Sequence, residues 1–110
     1  MRVLLDECVP KALGRSLTGH GVRTVPQEGW SGKKNGELLA LMAGAGFEVL
    51  LTVDQGVQHQ QNLRAVGVAV VVMVAASNDI NDLLSLVPGV LTALGSVRPG
   101  DAVEVRGAAP

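Results

Sequence analysis

Three segments of the chain, Val3–Leu5, Glu48–Val53 and Val66–Val74, are apolar almost without a break, and each is followed by a stretch of helical or polar character. A strand with one wet face alternates apolar and polar residues, whereas a strand that is apolar throughout is covered on both faces. Such strands belong to parallel sheets whose crossover helices lie on either side. The pattern predicts a doubly wound α/β domain: three layers, α/β/α, around a mainly parallel central sheet of four to five strands, with the first strand central.

The other elements follow from local signals. Pro10 suits the first position of a helix, because its missing N–H would be unpaired there anyway. Val9, Leu13 and Leu17 share one face of that helix, and His20-Gly21 closes it. Val22–Val25 reads as a second strand ended by Pro26, and Gln27–Lys34 as a loop. Asn35 is a good N-cap for a helix that carries Leu38, Leu41, Met42 and Ala45 up to Gly46. A short helix is expected within Gln55–Leu63. Asp79 and Asp82 resemble a capping arrangement for a last helix, which Pro88 should kink or restart. Ala102–Arg106 alternates, as a half-exposed edge strand does.

A chain of 110 residues has room for one domain, expected over residues 1–106 with 107–110 as a flexible C-terminal tail. Hydrophobic residues at 47% and charged residues at 17% exclude intrinsic disorder. The net charge of -1 excludes a globally basic nucleic-acid binder and leaves room for a local basic rim. One cysteine, Cys8, can make neither an internal disulfide nor a Cys-only zinc site. No apolar run approaches a bilayer span and no leader pattern opens the chain, so no membrane partner and a cytoplasmic location are expected.

In open parallel sheets, ligands collect beyond the carboxyl ends of the strands. Asp6-Glu7 follow the first strand, Asp54 the third, and Ser77-Asn78-Asp79 the fourth, while Glu37 lies in the first turn of the helix entered from the same edge. Two carboxylates about 4 Å apart repel by roughly 4 kcal/mol at an effective dielectric of 20. Three brought together call for proton uptake or a bound cation. Asp6, Glu37 and Asp54, with no His or Cys at ligand spacing, fit Mg²⁺ or Mn²⁺, which prefer oxygen ligands. Such a site suits phosphodiester hydrolysis, since metal-bound water removes the need for a protein nucleophile. Lys33 and Lys34 are placed to hold substrate phosphates, and Asn35 and Asn78 to orient a metal-bound water.

Each residue also has a plain structural role to weigh. Asp6 can end a strand, Asp54 can open a turn with Gly56, Glu37 can complement a helix dipole, and Asp79 and Asp82 can cap. Lys33-Lys34 reads as a solvated turn, Cys8 as a small buried hydrophobe, and Trp30 as an anchor for its loop. His20 and His59 read as structural or surface residues.

Met1–Pro10 (MRVLLDECVP), Gly29-Trp30-Ser31-Gly32, Lys34-Asn35-Gly36-Glu37-Leu38-Leu39 and Leu51-Thr52-Val53-Asp54 occur in that order. Together they resemble the small PIN-like domains of bacteria and archaea, discussed as toxins of toxin–antitoxin pairs. The resemblance covers nearly the whole chain, with Gln60-Gln61-Asn62 and Ser77-Asn78 matching later loops. It implies a PIN-like three-layer fold and a metal-dependent ribonuclease site of Asp6, Glu37 and Asp54. It also implies an RNA substrate and a cognate antitoxin that covers the site. The chain departs from the pattern in lacking a clear further acid at an Asp-x-x-x-Ala-type helix start, and in carrying Gln55-Gly56 after Asp54. Glu7 or Asp79 would have to substitute.

Two alternatives compete. One is a catalytically silent PIN-like binding module. The other is a receiver-like phosphoacceptor domain, for which Asp6-Glu7, Asp54 and Ser77 match in order but no lysine follows the last strand. The edge strand Ala102–Arg106 further invites a homodimer.

Overall fold

The computed structural model describes residues 1–59 and 63–107. Five strands form one sheet: β1 (Arg2–Leu5), β2 (Gly21–Thr24), β3 (Val49–Thr52), β4 (Ala69–Val74) and β5 (Ala102–Arg106). Their order is β2-β1-β3-β4-β5 and every neighbouring pair is parallel. The connections carry a 3₁₀ helix (Lys11–Ser16), α1 (Asn35–Gly44), a second 3₁₀ segment (Gln55–His59), α2 (Leu63–Val66), α3 (Ile80–Leu84) and α4 (Val87–Leu94). The expected three-layer α/β/α architecture is present. The central position belongs to β3, however, and β1 lies between β2 and β3. Complete burial of Val3–Leu5 requires only a strand on each side and cover on both faces, which β1 has without being central.

Side chains alternate across the sheet and so build two cores. Val3, Leu5, Val49, Leu51, Val71 and Met73 face one way, under Leu13, Leu83, Val90 and Leu94 of the first 3₁₀ helix, α3 and α4. Leu4, Leu50, Val70 and Val72 face the other, under Leu38, Leu39 and Met42 of α1, with Val57 and Leu63 beside them. This is why the strands read as unbroken apolar runs.

Strand order and helix placement together expose one irregular connection. The β1–β2 link crosses the first face toward one edge, while β2–β3 and β3–β4 cross the second face toward the other edge. Those three share one hand. The β4–β5 link continues toward the same edge as β3–β4, but its helices α3 and α4 lie on the first face, so its hand is opposite. Parallel crossovers are right-handed in about 98% of cases. The exception brings α3 against the first 3₁₀ helix, which sits on that same face.

Several boundaries differ from expectation. The segment after Pro10 is a short 3₁₀ helix with Pro10 at its N-cap, and its left-handed glycine is Gly19, Gly21 having already joined β2. Gly14 in its middle and Thr18-Gly19 behind it are poor helix formers, which keeps the segment to tight i→i+3 bonds such as Leu17 N–H to Gly14 C=O. Lys34, not Asn35, occupies the N-cap of α1, and Leu39 rather than Leu41 completes its buried face. Residues Leu63–Val66 form α2, so β4 starts only at Ala69, after Gly67 turns with φ +84. Pro88 does restart the last helix, splitting it into α3 and α4. Residues 108–110 of the expected tail lie outside the described residues, as do Gln60-Gln61-Asn62. Among the described residues, no helix is long and apolar enough to cross a membrane.

Candidate functional site at the carboxyl edge of the sheet

The register of β1 and β3 sets Leu5 beside Leu51, so the next positions along, Asp6 and Thr52, are lateral neighbours on one face. The Asp6 amide still bonds the Leu51 carbonyl at 3.0 Å, carrying the pairing one residue past β1. Thr52 Oγ1 donates to Asp6 Oδ2 at 2.7 Å and accepts from the Asp54 amide at 3.0 Å. The other carboxylate oxygen of Asp6 accepts from the Glu7 amide at 2.8 Å. Cys8 Sγ lies 3.6 Å from the same Thr52 hydroxyl. A fully buried hydroxyl, 0% exposed, thus ties together the two acids that end β1 and follow β3.

Asp54 turns Oδ1 back to the Gly56 amide at 2.9 Å, and its carbonyl accepts from Val57 to open the second 3₁₀ segment. Its carboxylate is exposed beside the buried end of β3. Glu7 reaches away from this pair: Oε1 accepts from the Gly32 amide at 2.6 Å and pins the loop after β2. Trp30 holds the same loop from the other side, packing edge-on against Phe47 with ring centroids 6.0 Å apart. The expected anchoring role of Trp30 is present.

The remaining candidates stand apart from this junction. Glu37 is exposed and pairs with Lys33 at 3.1 Å, an i,i+4 contact on the outside of α1. Asn35 is the first residue of α1 and makes no capping bond. Lys34 forms no ion pair among the described residues. At the end of β4, Asp79 caps α3 by accepting from the Asn81 amide at 2.8 Å, as its sequence context suggests. Asn78 lies exposed in the same turn.

The structure therefore joins Asp6 and Asp54 through Thr52 and leaves Glu37 outside the junction. Among the described residues, no three His, Cys, Asp or Glu side chains form a group that would hold a metal ion. Magnesium differs from other ions in this respect. It keeps several waters and commonly takes only one or two protein carboxylates, with substrate phosphates completing its shell. Two aspartate carboxylates are oxygen donors of the kind that demand calls for, while the buried Thr52 hydroxyl is already engaged by Asp6 and the Asp54 amide.

Thr52 is the residue that sequence reasoning passed over. The signal was present: a single hydroxyl at the end of an otherwise apolar strand, two residues before an acid, must find a partner once buried. Which partner it finds depends on the β1–β3 register, and no local pattern states that register. No protein-family model, curated protein or solved structure matches this chain.

Proposed function

We propose that the chain is a PIN-like, metal-dependent ribonuclease in which Asp6 and Asp54 hold a Mg²⁺ or Mn²⁺ ion at the carboxyl edge of β1 and β3. The observation that supports this reading is the buried Thr52 hydroxyl, which orients Asp6 through one oxygen and the Asp54 backbone through the other side of the same atom. Held this way, the Asp6 carboxylate is ordered before an ion arrives, which lowers the cost of binding, while the exposed Asp54 carboxylate is held by the Gly56 amide alone. The ion, when bound, would supply an activated water and a counter-charge for phosphodiester hydrolysis. Glu37 joins only by leaving Lys33, an exchange that a surface ion pair of this kind, worth about 0.3–0.5 kcal/mol, scarcely opposes. Glu7 and Asp79 have structural duties and are auxiliary at most. The toxin role, with an antitoxin covering this edge in the cytoplasm, belongs to the same proposal.

The test is titration with Mg²⁺ or Mn²⁺, read both by thermal melting and by cleavage of a single-stranded RNA. The wild type should gain stability with the ion and cleave. Asp6→Asn and Asp54→Asn should lose the gain in melting temperature and at least 100-fold in cleavage rate. Unchanged melting and no cleavage would overturn the reading.

A second reading is a PIN-like module that binds a partner without cutting. It is favoured by the engagement of Glu37, which in this structure pairs with Lys33 and not with the Asp6–Asp54 junction. The receiver-like alternative shares the 2-1-3-4-5 strand order of flavodoxin-like sheets. Against it, β5 runs into Arg106-Gly107 with no lysine, and a covalent phosphate on Asp54 would be its decisive sign.

A further inference from the structure

Two cavities of about 340 and 390 Å³ open between the first 3₁₀ helix and β2, the strand at one edge of the sheet. Lys11, Thr24 and Gln27 line both, so they form one cleft. Its far end is walled by Gly14, Arg15 and Val22, and its near end by Asp6 and Glu7. Neither Lys11 nor Arg15 figures in the acidic site described above.

The polar groups of this cleft divide by position, with the carboxylates Asp6 and Glu7 at the near end and Lys11, Arg15 and Gln27 along the rest. Lys11 and Arg15 are exposed and, unlike Arg23, Lys33 and Arg106, have no carboxylate partner among the described residues. Gln27 is fixed by a reciprocal pair of bonds: its Oε1 accepts from the Thr24 amide at 2.9 Å, and its own amide donates to Thr24 Oγ1 at 3.2 Å. That geometry commits the carboxamide oxygen and leaves the Nε2 donors unpaired among the described residues. An ammonium, a guanidinium and an amide N–H₂ are all donors, and two of them are cations. Away from the acidic near end, these donors suit successive phosphates of an extended anion. The near end, at Asp6, is where a reacting phosphate would be placed.

We propose that this cleft binds the sugar–phosphate backbone of a single-stranded nucleic acid and leads it to Asp6, with Lys11 and Arg15 as phosphate contacts and Gln27 as a hydrogen-bond donor. The destination of the strand rests on the ribonuclease reading, whereas its binding does not. Lys33, already paired with Glu37, is displaced by these residues as the principal phosphate contact.

The experiment measures binding of a fluorescent single-stranded RNA by anisotropy in EDTA, where no cleavage occurs, across a series of salt concentrations. The Lys11→Ala/Arg15→Ala double variant should bind at least tenfold more weakly than wild type. Its plot of log affinity against log salt should also be shallower by roughly 1.4, since each phosphate contact on a single strand contributes about 0.7. Arg106→Ala, on the strand at the opposite edge, removes a like charge and should bind as wild type does. Thermal melting confirms that each variant is folded.

Binding that depends on Lys11 and Arg15 without cleavage on adding Mg²⁺ would support the cleft and sink only the ribonuclease reading. Cleavage by the double variant at the wild-type kcat/KM would overturn the cleft and leave the ribonuclease reading standing. Absence of RNA binding by the wild type, or polyglutamate bound as tightly with the same two-residue dependence, would also overturn the cleft.

Discussion

The turns that end β3 and β4 use the same local device to opposite effect. In each, a hydroxyl accepts from the amide two residues on: Thr52 from Asp54, and Ser77 from Asp79, both at 3.0 Å. In each, that hydroxyl also donates to a carboxylate, Thr52 to Asp6 at 2.7 Å and Ser77 to Asp82 at 2.6 Å. The difference lies in where the acid comes from. Asp82 is five residues away on the helix that follows, while Asp6 is 46 residues away on another strand. Ser77 is exposed and Thr52 is not. The β4 turn is a helix start that would form with little help from the rest of the molecule. The β3 turn has the same local bond, but its hydroxyl reaches Asp6 only because β1 and β3 pair in one register, and so it gathers acids that have no local reason to meet. Functional geometry in a parallel sheet belongs to the second kind.

Substitution at the two hydroxyls is the direct way to break this comparison. Thr52→Val keeps the shape and removes the hydroxyl, leaving the Asp6 carboxylate and the Asp54 amide short of a partner in a part-buried setting. With these two bonds only part-buried, it should cost about 1–2 kcal/mol in chemical denaturation, and Thr52→Ser should recover most of the loss. Asp79→Ala removes the cap of α3 and should cost about 1 kcal/mol by the same measurement. Ser77→Ala, whose partners can turn to water, should fall within about 0.5 kcal/mol of wild type. Equal losses at Thr52 and Ser77 would mean that burial does not separate the two turns.

Much of the fold was legible for a simple reason: a strand covered on both faces must be apolar along its covered length, and β1, β3 and β4 are, apart from Arg2 and Thr52 at their ends. The Asp79 cap and the Pro88 break were legible because each acts over a few residues. Misreadings fell where local signals compete. Val66-Gly67-Val68 is β-branched enough to pass for strand, yet the left-handed Gly67 separates a helical turn from β4. Asn35 is a better cap than Lys34 by residue type, but the chain enters α1 one residue earlier than that preference suggests. The hand of the β4–β5 crossover left no local trace, since α3 and α4 would bury the same apolar residues on either face.

The candidate site divides along the same line. That acids would stand at the carboxyl edge followed from chain order and a parallel sheet. That Asp6 and Asp54 meet at Thr52, that Glu37 stays on Lys33, and that Lys11 and Arg15 share a cleft with Asp6 followed from register and packing alone. Sequence determined which segments are buried and which residues stand at their ends, because burial and capping are properties of short stretches. Tertiary structure decided which ends touch, because a shift of one strand by a single residue would exchange the faces of every side chain on it.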